Sequence, residues 1–200
     1  MPAFPDRLTE GYVAFLSGRF ERERERYREL ASRGQKPEIM LIGCCDSRVA
    51  PEAIFDAAPG ELFVTRNVAN LVPPYQPDGE NHGTSAALEY AVQVLRVKHI
   101  VVLGHAQCGG VAAHAAEGAP LSPGDFIGKW IAMIDPAAAT IPRSQRDRPD
   151  YQRLLELASV RNSLRNLMTF PCVRILVERG KVQLHGAYFG VSDGRLLALD

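Results

Sequence analysis

The chain has 200 residues, the size of one ordinary domain and long enough to bury a core. Hydrophobic residues make up 46%, which argues against disorder. Lys plus Arg equals Asp plus Glu at 23 each, which leaves no overall pull toward nucleic acid or an anionic membrane.

No apolar run approaches the ~20 residues of a membrane span. The opening Met-Pro-Ala-Phe-Pro-Asp-Arg-Leu lacks a basic segment followed by an apolar stretch, so no secretory signal is visible and a cytoplasmic location is expected. Residues 8–32 read as a charged helix, with Leu8, Tyr12, Phe15 and Leu16 at helical spacing. The run from Glu21 to Glu29 alternates in sign and sets opposite charges three apart, which suits a solvated helix face. Strand patterns follow at Glu38–Gly43 and Leu62–Thr65, and a helical segment runs from Ser85 to about Val97. His99–Gly104 is nearly all apolar, as in a strand buried on both faces of a parallel sheet. Gly109-Gly110 opens another short helix.

Residues 117–124 and 135–149 are rich in Pro, Gly and Ala and read as loops around a helix near Phe126–Ile134. A long helix covers roughly Asp150–Met168. The end, Val173–Leu199, reads as one or two edge strands with a Ser192–Gly194 turn. Alternating strands and helices predict an α/β fold with a mostly parallel central sheet flanked by helices. No repeat or linker divides the chain. It reads as a single domain over 1–200, with a helical arm at 1–34 and an α/β core at 35–200.

Four cysteines are present, Cys44, Cys45, Cys108 and Cys172. In a reducing compartment such residues bind metal or do chemistry more often than they form a disulfide framework. Gly43-Cys44-Cys45-Asp46-Ser47-Arg48 and Gly104-His105-Ala106-Gln107-Cys108-Gly109-Gly110 each follow an apolar strand directly. Ligand sites in open α/β sheets lie beyond the carboxyl ends of strands, so the two clusters can converge. Two thiolates and one imidazole suit tetrahedral Zn²⁺, and three protein ligands leave a fourth position for water. A closed structural site, with Cys45 or Asp46 as fourth ligand, is the alternative. Chain neighbours rarely both ligate, because their side chains diverge.

Cys-x-Asp-x-Arg followed by His-x-x-Cys-Gly-Gly resembles the signature of β-carbonic anhydrases. The resemblance spans roughly Gln35 to Met168 and includes Arg66-Asn-Val-Ala-Asn70 and the helix around Glu89-Tyr90. It implies Cys44, His105 and Cys108 as ligands of one Zn²⁺ per chain, and Asp46 with Arg48 as a catalytic pair. It implies reversible hydration of CO2 to bicarbonate and a proton, by attack of zinc-bound hydroxide on CO2. Zinc is known to bring bound water to a pKa of about 7 in that reaction. Arg48 would hold Asp46 ionised through a two-pronged hydrogen bond. Backbone N–H groups near Gly109 would receive a bicarbonate oxygen.

Members with a second bicarbonate pocket build it from Trp, Arg and Tyr. The matching positions here are Leu41, Arg66 and Phe189, and only the arginine is kept. Gln35, Phe63, Val68 and Tyr90 match the plant-like members, where they line a CO2 channel at a subunit interface. The resemblance thus implies an open site and a homodimer or an assembly of dimers. Hydrolysis of CS2 or COS on the same scaffold, and a non-catalytic zinc-stabilised interaction module, are the competing readings. His82, His99, His114 and His185 read as surface or satisfied histidines, and Trp130, Tyr188 and Phe189 as packing.

Overall fold

The computed structural model describes residues 4–78, 82–116 and 126–199. The chain forms two compact units, Met1–Lys36 and Pro37–Asp200. In the first, α1 (Asp6–Phe15) runs through a π-helical turn at Leu16–Phe20 into α2 (Glu21–Arg33). Gly34 ends the helix at φ +77°, a backbone region where a side chain would be strained. Phe15, Phe20 and Tyr27 cluster on one side, with ring centroids 5.2–6.1 Å apart. The expected charge ladder forms between Arg24 and Glu21 and between Arg28 and Glu25. Neither α1 nor α2 buries a single residue.

The second unit is built on five strands, β1 (Ile39–Cys44), β2 (Leu62–Asn67), β3 (His99–His105), β4 (Gln183–Phe189) and β5 (Leu196–Leu199). Their spatial order is β2-β1-β3-β4-β5. All neighbours are parallel except the β4–β5 pair. Between strands lie α3 (Pro51–Ile54), α4 (Gly83–Glu89) with a π-helical extension Tyr90–Leu95, α5 (Gly109–Ala115), α6 (Phe126–Ile131), α7 (Asp135–Ala138), α8 (Tyr151–Leu167) and α9 (Pro171–Glu178). The parallel α/β expectation holds.

One sheet face, with Met40, Ile42, Ile100 and Val102, is sealed by residues of α4's extension, α8 and α9, among them Val92, Val160 and Val173. The other face is thinner. Leu41, Leu103 and Ala187 are buried, but Val64, Val101 and Phe189 beside them are only half-buried.

Three details differ from the sequence reading. Val173–Glu178 belongs to α9, not to a strand, because Pro171 occupies the first helical turn and starts a helix. β4 is an interior strand between β3 and β5, so only β5 is a true edge at that end. Part of the stretch 135–149 is helical rather than loop, as α7 and a 3-10 turn at Arg143–Gln145. Residues 117–124, expected to be a loop, lie outside the described residues.

Candidate metal centre

β1 and β3 are parallel neighbours, so their carboxyl ends lie side by side. Cys44 is the last residue of β1 and His105 the last of β3. The chain then turns at Ala106 and Gln107, the latter at φ +57°, and returns Cys108 to the same point ahead of α5. The donor atoms of Cys44, His105 and Cys108 all lie within 4.8 Å of one another, and all three residues are buried. Cys45 is exposed and is not part of this group.

The donors suit a soft, divalent cation. His105 Nδ1 lies 2.9 Å from the Ala106 carbonyl, which places the ring proton on Nδ1 and turns a lone pair on Nε2 inward. That Nε2 is buried and has no partner in hydrogen-bond geometry. The sulfurs of Cys44 and Cys108 are 4.0 Å apart. The contact with Cys108 holds the Cys44 thiol down at about 4, while the same contact, helped by burial, drives Cys108 upward. Burial opposes a charge on His105, but the nearby Cys44 sulfur and the Ala106 carbonyl outweigh it and draw its pKa up. Three buried donors thus compete for protons, and a metal ion would satisfy all three at once. Two sulfurs and one imidazole nitrogen fit Zn²⁺.

Asp46 follows two residues after Cys44, and its amide N lies 3.5 Å from the Cys44 sulfur. Arg48 takes both of its carboxylate oxygens, with Nε to Oδ1 at 2.9 Å and Nη2 to Oδ2 at 2.7 Å. The Arg48 backbone N–H adds a third bond at 3.0 Å. These bonds, first of all that of the guanidinium, hold the Asp46 carboxyl far below the usual carboxylate range. Arg48 is itself anchored on the Gln107 carbonyl at 3.1 Å. Arg66, at the end of β2, donates to the carbonyls of Cys44 and Asp46, both at 2.7 Å. The two clusters are therefore tied to each other as well as to the sheet.

The pocket residues do not all gather here. Val68 follows β2, and Gly110 packs so closely that a side chain on it would meet Val68 Cγ1 at 2.9 Å. Gly109 has nothing within 4 Å of where its side chain would be. Phe63, however, pairs with Met40, whereas Asn67 pairs with Cys44. At ~3.3 Å per residue that sets Phe63 roughly 13 Å back along the strand. Tyr90 stacks near it, ring centroids 5.8 Å apart, and is exposed. Within one chain these two rings do not reach the metal ligands. Gln35 belongs to the first unit and is exposed.

Sequence reasoning missed Glu156 and Tyr188. Glu156 is only 3% exposed and accepts a hydrogen bond from the Cys108 N–H at 2.9 Å. Tyr188 is not mere packing, because its hydroxyl donates to Glu156 at 2.7 Å. Trp130 likewise donates, to the Val68 carbonyl at 2.8 Å. Outside the site, His82 pairs with Asp78 and His114 Nε2 with Asp135, both at 2.8 Å, and His99 with His185 at 3.1 Å, while the buried His114 Nδ1 has no partner among the described residues.

A family model described as carbonic anhydrase matches residues 39–196. The chain is 37% identical over 199 residues to β-carbonic anhydrase 6, mitochondrial, of Arabidopsis thaliana, covering 95% of this chain and 66% of that protein. It is 37% identical to a carbonic anhydrase of Pseudomonas aeruginosa, over 96% of this chain and 86% of the relative. A crystal structure reported among two tetrameric β-carbonic anhydrases of the ascomycete Sordaria macrospora superposes with a TM-score of 0.82 at 30% identity, covering 97% of this chain and 95% of the other. With its two cysteines, one histidine and Asp-Arg pair assembled at the strand ends, the chain belongs to the β-carbonic anhydrase family.

Proposed function

We propose that the chain interconverts CO2 with bicarbonate and a proton, as a zinc-dependent carbonate dehydratase. The observation that carries this is the convergence of Cys44, His105 and Cys108 beside a carboxylate locked by Arg48. Those three residues would hold the metal. Zinc, when bound, supplies the positive charge that lets a coordinated water lose its proton near neutral pH.

The chain's own residues do the rest. Ionised Asp46 can only accept, so it takes a hydrogen bond from the nucleophile's O–H and turns the oxygen's lone pair toward the CO2 carbon. Arg48 keeps that carboxylate charged and fixed in plane. Arg66 holds the main chain of Cys44 and Asp46, so the ligand and the acceptor keep one spacing.

The open-site form is the one supported. Both Asp46 oxygens are engaged by Arg48, and Arg66 commits its Nε and Nη2 to two main-chain carbonyls. Leu41 and Phe189 offer that position no polar group, and both pack in one apolar cluster. Cys44, His105 and Cys108 would then hold the metal without Asp46, so that solvent or substrate could reach it.

Val68 and Gly109 belong to the substrate pocket by their place beside the ligands. Phe63, Tyr90 and Gln35 join it as contributions across a subunit interface, which agrees with the distance of Phe63 and Tyr90 from the ligands in one chain. The assembly is a homodimer or an assembly of dimers, in keeping with the tetrameric Sordaria relative. Four free cysteines suit a reducing compartment, the cytoplasm.

Stopped-flow CO2 hydration on protein of measured zinc content tests the reading, with COS and CS2 run beside it. The expected result is a CO2 rate proportional to bound zinc, with little turnover of the sulfur compounds. Zinc-replete protein that leaves the CO2 rate at the solvent value would overturn it.

A further inference from the structure

We propose that Glu156 is a positioning residue for the metal centre, acting through the main chain of Cys108. A carboxylate is rarely buried without partners, and Glu156 has three. Its Oε1 accepts from the Cys108 N–H at 2.9 Å and from Gln152 Nε2 at 3.0 Å. Its Oε2 accepts from the Tyr188 hydroxyl at 2.7 Å.

Cys108 needs this partner. It stands between the Ala106–Gln107 turn and α5, and no main-chain carbonyl among the described residues accepts its N–H. The residue is 1% exposed, so water does not replace the bond. A buried N–H left without an acceptor is costly, because it gives up its bond to water and gains none in the fold. The loop would shift to relieve it and would carry the ligand sulfur along.

The packing explains how a glutamate of α8 arrives there. Gly104 in β3 has no side chain, and one built on it would stand 2.5 Å from Val160 Cγ2. α8 therefore lies close on β3. Glu156, one turn before Val160 on the same side of the helix, is thereby brought under the Cys108 amide. Gln152, a further turn back, braces the same carboxylate oxygen, and Tyr188 holds the other from β4. The glutamate is clamped from two elements and passes that rigidity to the ligand loop.

The inference rests on Cys108 being a metal ligand, and the test separates the two. Zinc affinity is measured by competition with a chromophoric chelator on the full-length protein. The thiolate-to-metal absorption of the Co²⁺-loaded protein and the thermal melt of the metal-free protein are recorded alongside. Glu156→Ala should weaken zinc about 10- to 100-fold, the usual effect of removing a group that orients a ligand, and should alter the cobalt band. Glu156→Gln keeps an oxygen for Cys108 and an NH2 that Tyr188 can accept, so it should recover most of the affinity. Tyr188→Phe, a milder change that leaves the core filled, should move affinity in the same direction by less.

A purely structural role would lower the metal-free melt while leaving affinity and the cobalt band unchanged, and that result overturns the proposal. Should Glu156→Ala not fold, unaltered affinity and cobalt band in Tyr188→Phe would overturn it equally. Cys108→Ala is measured in parallel. Loss of metal there with no change at Glu156 defeats only the positioning role, whereas full metal retention in Cys108→Ala defeats the ligand reading and this one with it.

Discussion

At the scale of single residues, the proposed site divides labour between three buried donors suited to a cation and a carboxylate paired with an arginine. Arg48 engages both Asp46 oxygens, which on the proposed reading keeps that carboxylate off the metal. Replacing Asp46 by Asn swaps one acceptor for a donor without changing shape. Turnover should fall ~10²–10⁴-fold, the usual loss when a proton-handling group is removed, with zinc content unchanged. A zinc-replete Asp46→Asn protein with normal CO2 hydration would defeat the role. Arg48→Lys keeps the charge but loses the two-pronged geometry, so it should reduce turnover about 10- to 100-fold without releasing metal. The three metal-donor residues could be read from the sequence because their two clusters each follow an apolar strand directly, whereas the Asp46–Arg48 pairing came from the family resemblance. Glu156 could be read from neither. It is separated from Cys108 by 48 residues and looks like any charge on a helix until α8 is seated on β3.

At the scale of elements, the close contact between α8 and β3 decides where the ligand strands end. Gly104→Ala would drive a methyl group into Val160. Overpacking of this kind costs about 1–3 kcal/mol, to be read from denaturant melts. Pairing it with Val160→Ala should recover part of the loss, so the double variant should be less destabilised than the two single changes added together. Unaltered stability of Gly104→Ala would show that the helix can yield. The His99–His185 contact between β3 and β4 gives a second handle. Burial, then the nearby His99, holds His185 below the ordinary histidine pKa. The unfolded chain therefore binds that proton more readily than the folded one. The contribution is present above the unfolded value of about 6.5 and is lost as pH falls below it. His185→Gln should make stability less sensitive to acid between about pH 7 and 5, and an unchanged slope would exclude the mechanism. The parallel core strands were readable from apolar runs between turn residues. α9 was misread because Val173, Ile175, Leu176 and Val177 mimic a strand, and only Pro171 marks the helix start.

At the scale of the whole molecule, the two units leave apolar surface that one chain does not use. α1 and α2 bury no residue, and Phe4, Leu8, Tyr12 and Val13 are each more than half exposed. The thinner sheet face keeps Val64, Val101 and Phe189 half-buried, and Leu196 and Leu197 at the β5 edge are exposed. Scattered apolar residues are ordinary on a surface, but contiguous ones mark an interface. Salt bridges along α2 do not replace it, because exposed ion pairs contribute only ~0–1 kcal/mol each. On the proposed assembly a second copy would supply this cover and, with it, the aromatic pair of Phe63 and Tyr90. Sedimentation at micromolar concentration should therefore find a dimer or an assembly of dimers, and no active monomer. Charged substitutions at Leu8 and Tyr12 should shift the protein toward monomer and reduce CO2 hydration together, while Cys44, His105 and Cys108 continue to bind zinc. A monomer that hydrates CO2 at the full rate would show that the site is complete in one chain and that Phe63, Tyr90 and Gln35 have no part in it.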